Sequence, residues 1–229
     1  MKIAVIPARG GSKRLPRKNV RRFCGVPMIE RAIRTAQKSG VFEHIVVSTE
    51  DAEIADIAQA AGAEVPFLRP ADLADDMTAT VPVIAHAVNE CQAQGWDVSH
   101  ACCIYPCVPL LDTDDLAQTL ALCEATGAEF VYPVTEYSHP VQRAMRRLPS
   151  GQMQFLQPEH ELSRTQDLEK VFHDAGQFYW GRAEAWTSGK RMHSAGRGYP
   201  IPHWRVVDID TEDDWRRAEL IFGALNPGA

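Results

Sequence analysis

Residues 3–6, Ile-Ala-Val-Ile, and residues 8–19, Ala-Arg-Gly-Gly-Ser-Lys-Arg-Leu-Pro-Arg-Lys-Asn, decide how this chain is read. The first is a short apolar run of the kind buried in a sheet. The second sets two glycines among five cations, Arg9, Lys13, Arg14, Arg17 and Lys18. Glycine lets backbone N–H groups approach phosphate oxygens, and Lys and Arg balance their charge. Placed at the C-terminal end of a strand, this combination suits a polyphosphate.

The charge distribution sharpens the point. The first 29 residues hold eight Lys or Arg and no Asp or Glu, yet the 229-residue chain has a net charge of −6. One basic segment on an acidic chain indicates a local anion site, not the spread positive face of a nucleic-acid binder. A solvated basic loop is the alternative.

Strand and helix patterns alternate outward from this loop. Pro27 suits a first helical position, Ile29, Ala32, Ile33 and Ala36 follow at helical spacing, and Gly40 closes the helix. His44–Ser48 reads as a strand. Ile54, Ile57, Ala58 and Ala61 mark a second helix ended by Gly62, and Val81, Ile84, Ala85 and Val88 a third, with Thr80 as its N-cap. Ala101–Tyr105 is another buried strand, Leu116, Leu120 and Cys123 another helix, and Glu129–Pro133 another strand. Short apolar strands between amphipathic helices predict a three-layer α/β fold: one domain over 1–229, a mostly parallel sheet, and helices on both faces. Ligands of such folds bind beyond the carboxyl ends of the strands, where the basic loop lies.

Residues 134–172 break the rhythm, as a surface insertion, a dimerisation arm or a lid would. Regular pattern returns at Gln177–Trp180. A last strand, Trp204–Val207, is predicted to lead into Asp208-Ile209-Asp210 and a C-terminal helix capped by Thr211, with Asp214 three residues on.

The loop lacks the G-x-x-x-x-G-K-[ST] and G-x-G-x-x-G patterns, which leaves a nucleoside triphosphate gripped along its length as the fitting ligand. Asp208 and Asp210, two residues apart on a strand, would face the same way and could share one Mg2+. A place in the acidic start of the following helix, with Glu212, Asp213 and Asp214, is the other explanation. A phosphate loop with a magnesium site implies nucleotidyl or phosphoryl transfer.

No stretch reaches the roughly 20 apolar residues of a membrane span, and the chain enters a strand at once, with no secretory signal expected. The six cysteines form neither a disulfide framework nor a zinc pattern, which fits the reducing cytoplasm.

Several motifs in one order resemble the acylneuraminate cytidylyltransferase family of CMP-sugar synthetases over nearly the whole chain. Residues 6–13 and 15–19 are similar to its CTP-binding signature. Val47-Ser48-Thr49-Glu50 matches its second motif, with Glu50 where Asp is usual. Leu68-Arg69-Pro70 with Asp75, Asp76 and Thr80 resembles its cytidine-contacting segment, and Asp208–Thr211 its metal motif. Tyr132–Thr135, Pro106-x-x-Pro109 and His173–Trp180 resemble the family's pseudaminic acid branch. The sialic acid branch usually has Gln before Pro106 and Asn-Gly near 174–175, where this chain has Tyr105 and Asp174-Ala175.

The resemblance implies a Rossmann-like nucleotidyltransferase fold and transfer of CMP from CTP to the anomeric hydroxyl of a nonulosonic acid, with Mg2+ as cofactor. Within it, Arg9, Lys18 and Asp210 would be catalytic. Ala8, Arg9, Gly10, Gly11, Ser12, Lys13, Lys18 and Asn19 would cradle the nucleotide, and Arg69 and Thr80 would read the cytosine. Tyr105, Arg164 and Gln177 would meet the sugar, and Asp208 and Asp210 the metal. Arg14 and Arg17 would be solvated neighbours, and His173 structural or sugar-contacting. A homodimer built through 134–172 is implied, with no nucleic-acid or membrane partner. Other acid sugars, sialic, legionaminic or keto-deoxy-octulosonic acid, remain open as substrates, as does a noncatalytic nucleotide-binding role.

Overall fold

The apolar run at 3–6 lies within strand β1 (Lys2–Pro7), buried along its centre. In this computed structural model the described residues are 1–12, 14–75 and 77–227. Lys13, assigned to the nucleotide cradle, and Asp76, quoted in the 68–80 motif, fall outside them. A short hairpin, β2 (Arg22–Phe23) and β3 (Val26–Pro27), leads to α1 (Met28–Ser39), β4 (His44–Ser48), α2 (Ala52–Ala60) and α3 (Thr80–Ala93). Then come β5 (His100–Ile104), α4 (Thr113–Thr126) and β6 (Phe130–Glu136). A second hairpin, β7 (Met145–Arg147) and β8 (Met153–Phe155), precedes β9 (Phe172–Asp174), β10 (Phe178–Arg182), α5 (Ala183–Thr187), β11 (Gly196–Pro200) and α6 (Glu212–Leu225).

The main sheet runs β11-β6-β10-β5-β1-β4. β1 pairs in parallel with β4 and β5, and β11 with β6, whereas β10 is antiparallel between β5 and β6 and β9 is antiparallel to β6. The sheet is therefore mixed, with its parallel part holding the N-terminal half. One face packs Ala4, Ile6, Cys102, Ile104 and Trp180 against α1, α2 and α4. The other packs Ile3, Val5, Cys103 and Tyr179 against α3 and α5. A third cluster, Leu15, Phe23, Met28, Ile209 and Trp215, joins the end of the basic loop to α6. That cluster brings the loop after β1 and the C-terminal segment to one end of the sheet.

Several local expectations are corrected. Pro27 is the N-cap of α1, not its first residue, and Thr80 is the first residue of α3, whose N-cap is Ala79. The expected strand at 204–207 is absent: His203–Arg205 form a single 3-10 turn and the next residues are extended but unpaired. A strand that the sequence reading did not assign lies earlier, at β11, over Gly-Arg-Gly-Tyr-Pro. Its glycines are required by packing, because a Cβ at Gly196 would meet Tyr132 Cε1 at 2.6 Å and one at Gly198 would meet Val134 Cγ2 at 2.8 Å. β6 reaches Glu136, so the sheet takes the first residues of the irregular segment, and the β7–β8 hairpin occupies its middle.

The 203–210 segment is pinned by an ion pair. Arg205 Nη1 donates to Asp115 Oδ2 at 2.6 Å and Nη2 to Asp115 Oδ1 at 3.3 Å, on the first turn of α4. Burial pushes the Asp115 carboxyl above its usual range despite Arg205. Removing one partner of a buried pair leaves the other charge stranded, so Arg205→Met should destabilise the fold by roughly 3–5 kcal/mol. The stranded carboxyl would hold a native pKa above its unfolded value. Its cost is therefore full at neutral pH and falls as pH drops through that native pKa, where the folded state takes up the proton. Denaturant unfolding at pH 5 and pH 8 checks this: the deficit should be smaller at pH 5.

Candidate active site

Beyond the carboxyl ends of β1, β4 and β5 lies a cavity of about 390 Å³. The loop after β1 supplies Arg9, Ser12, Arg14, Lys18 and Asn19 to its wall. The connection from α2 to α3 supplies Arg69, the start of α3 Thr80, the segment after β5 Tyr105 and Cys107, and the C-terminal segment Asp208 and Asp210.

The loop is shaped by bonds that its cations do not all share. Ala8 N–H donates to Ser48 C=O at 3.0 Å, continuing the β1–β4 pairing. Gly10 N–H donates to Glu50 Oε1 at 2.8 Å, and a Cβ at Gly10 would overlap Asp51 Oδ2 at 2.2 Å, so only glycine fits. Asp51 caps α2 by accepting from Ile54 N–H at 3.0 Å and pairs with Arg17 Nη1 at 2.6 Å. Arg17 also pairs with Glu53, and its backbone holds φ at 57°, a strained value for a side-chain-bearing residue. Its hydrogen bond to Asp51 lowers the Asp51 pKa. Arg17 is thus a brace holding the loop against α2. Asn19 Nδ2 donates to Arg9 C=O at 2.9 Å, while Cys107 Sγ donates to Asn19 Oδ1 at 3.3 Å.

Lys18 joins the ends of the chain, with Nζ donating to Ile209 C=O at 3.0 Å and lying 3.4 Å from Asp210 Oδ1. Arg14 pairs with the other oxygen, Asp210 Oδ2. It is exposed, as expected of a solvated neighbour, but it is also an ion-pair partner at the site. Asp208 and Asp210 both line the cavity, but an irregular segment presents them where a strand was expected. Burial, and then the charge of Asp210, raise the Asp208 carboxyl above its usual pKa, opposed by Lys18 and Arg14. Two carboxylates lining one cavity are the donor type that a hard divalent cation takes.

Arg69 is buried at the wall, donating from Nε to Ser48 Oγ at 3.1 Å and from Nη2 to Ser48 C=O, with guanidinium donors to spare. Thr80 Oγ1 and Tyr105 Oη share a 2.7 Å hydrogen bond on the same wall. Burial pushes the Tyr105 phenol up to about 12, so it stays a neutral hydrogen-bonding group.

Other expected residues fall elsewhere. Ala8, Gly10 and Gly11 shape the loop without lining the cavity. Gln177 lies behind the wall: its C=O accepts from Tyr105 N–H at 2.9 Å and its Nε2 donates to Arg205 C=O at 2.7 Å, while Gly176 faces the cavity. Arg164 is in the arm, just before a 3-10 turn, away from the cavity. His173 contacts Asp174 C=O at 2.9 Å and packs near Tyr137 and His203, also outside it. Unforeseen on the wall are Arg14, Thr78, Cys107 and Gly176. Cys107 follows the end of β5, so the rule that ligands sit beyond strand ends could have found it.

A cation-lined loop at the end of a parallel strand, opposite two carboxylates, on this mixed α/β sheet defines a nucleotidyltransferase. The chain belongs to the cytidylyltransferase family, whose model matches residues 3–187. Over 223 residues it is 38% identical to pseudaminic acid cytidylyltransferase of Campylobacter jejuni subsp. jejuni serotype O:2, covering 96% of this chain and 95% of that protein. It is 31% identical over 228 residues to CMP-N,N'-diacetyllegionaminic acid synthase of Legionella pneumophila, covering 96% of this chain and 95% of that one. In structure it resembles a CMP:2-keto-3-deoxy-manno-octonic acid synthetase complexed with CTP, with TM-score 0.71, 15% identity, and coverage of 98% of this chain and 99% of that one. At that identity the likeness concerns the fold.

Proposed function

We propose that the protein transfers CMP from CTP to the anomeric hydroxyl of pseudaminic acid, a nonulosonic acid, releasing pyrophosphate. The observation that carries this is the meeting of the 8–19 loop with Asp208 and Asp210 in one cavity, in a chain 38% identical along its length to a pseudaminic acid cytidylyltransferase. The attacking hydroxyl forms a bond to the α-phosphorus as the α–β bridging bond breaks. Such transfer is driven by positioning and by stabilising the charge that builds on the phosphoryl oxygens. Arg9 and Lys18 meet that charge, Ser12 extends the grip along the triphosphate, and Asn19 fixes the loop that holds it. Arg69 and Thr80 read the cytosine. Tyr105 and the turn at Gly176 face the sugar, and Gln177 supports that wall from behind.

Mg2+, held by Asp208 and Asp210, would screen the triphosphate. One of the two carboxylates also poises the attacking hydroxyl. Six free cysteines, and the lack of any helix long and apolar enough to cross a membrane among the described residues, accord with work in the cytoplasm. The arm exposes Met145, Met153, Leu156 and Leu162, an apolar surface suited to a second copy. We therefore also propose a homodimer, which a monomeric mass by light scattering would refute.

A pyrophosphate-release assay with CTP and a panel of pseudaminic, legionaminic, sialic and keto-deoxy-octulosonic acids tests the reaction. Pseudaminic acid should give the highest kcat/KM. Release with none of them would refute the activity. Preference for another acid would keep the chemistry and replace the sugar, as the 31% identity to a legionaminic acid synthase makes a real contest.

A further inference from the structure

Asp210 is approached from both sides by cations. Arg14 pairs with Oδ2, and Lys18 lies 3.4 Å from Oδ1. The Asp210 side chain is only 20% exposed, while that of Arg14 is 74% exposed. Asp208 lines the same cavity as those two cations. Asp210 is thus held between two cations, in a cavity that a second carboxylate, Asp208, also lines. Bare, those carboxylates would repel the triphosphate, because like charges at close range in a partly desolvated cavity oppose each other strongly. A divalent cation taking Asp210 Oδ2 would compete with Arg14, which lines the cavity with Ser12 and Lys18.

We propose that Arg14 is a partner-exchanging residue: it neutralises Asp210 in the free enzyme and passes to the triphosphate of CTP when the metal takes Asp210. This rests on the function proposed above and adds a substrate contact to it. Lys18 holds one place at the site, its amine also tied to Ile209 C=O at 3.0 Å, so the exchanging cation is Arg14. Guanidinium suits the second position, since its planar fork can grip either a carboxylate or a phosphate in two-point fashion.

The exchange makes Arg14 and Asp210 energetically coupled in CTP binding, which a double-mutant cycle reads directly. Calorimetric titration of CTP is carried out with Mg2+ and, separately, in EDTA. With Mg2+, Arg14→Ala should bind CTP about tenfold more weakly than wild type, with Arg14→Lys intermediate. In EDTA, Asp210→Asn releases Arg14 and should bind metal-free CTP about tenfold more tightly than wild type. Adding Arg14→Ala to Asp210→Asn should abolish that gain. CTP affinity indifferent to Arg14→Ala in both backgrounds would overturn the exchange alone, leaving the enzyme assignment intact. A wild-type protein that binds no CTP with Mg2+ would overturn both. Circular dichroism confirms that each variant is folded.

Discussion

Lys18→Ala and Asp210→Ala should each lower turnover about 10²- to 10⁴-fold while the fold survives. Lys18 is where the N-terminal loop and the C-terminal segment touch, through Ile209 C=O and Asp210. Its loss removes a positive charge from the reacting phosphates and a tie that fixes the opposing carboxylates. Asp210→Ala leaves Arg14 and Lys18 facing each other without their shared anion. Neither residue belongs to the hydrophobic clusters, so melting temperatures should move by only a few degrees. Steady-state pyrophosphate release, with thermal melts alongside, checks both halves. Near-normal turnover in either variant would sink the assignment of this cavity as the active site.

Trp180→Ala should cost about 3–5 kcal/mol of stability. Trp180 is fully buried in β10, the antiparallel strand that ties β5 to β6. Its ring stacks on Phe42 at 5.1 Å, and its indole N–H donates to Leu116 C=O at 3.0 Å on α4. Truncation leaves a cavity between sheet and helix, because a packed interior relaxes only in part. In a chain of this size each kcal/mol lowers the melting temperature by roughly 2–4 °C, so a fall of about 10 °C is expected by calorimetry. Trp180→Phe keeps most of the ring volume and should lose less than half as much. Equal losses for the two variants would mean that the indole hydrogen bond, not the ring volume, carries the effect.

The N-terminal half was legible because its signals are local. In α1, Ile29, Ala32, Ile33 and Ala36 repeat at helical spacing on the buried face, and Gly40 takes the left-handed conformation that ends the helix. At α6, Thr211 and Asp214 form a reciprocal capping box four residues long. The strand at Gly196–Pro200 was not legible. Its glycines answer to Tyr132 and Val134 on a neighbouring strand far away in the chain, and nothing in the five residues carries that demand. The segment 204–207 has a strand's composition, but Arg205 is drawn out of any sheet by Asp115 and Asp112.

The same division runs through the site. By itself the sequence determined that a glycine-containing basic loop follows a buried strand, that two aspartates precede the last helix, and that the motifs between them resemble a CTP-using family. Residue type and spacing suffice for that, since phosphate binding and metal binding each draw on a small set of side chains. Only the tertiary structure decided which cations serve which anions. Arg17 turns away to brace Asp51, Arg14 turns in to Asp210, and Lys18 bridges loop and tail. Those choices depend on charges brought within a few ångströms by the packing of Leu15, Phe23 and Met28 against Ile209 and Trp215. Coulomb energy falls with distance through space, and distance along the chain says nothing about it.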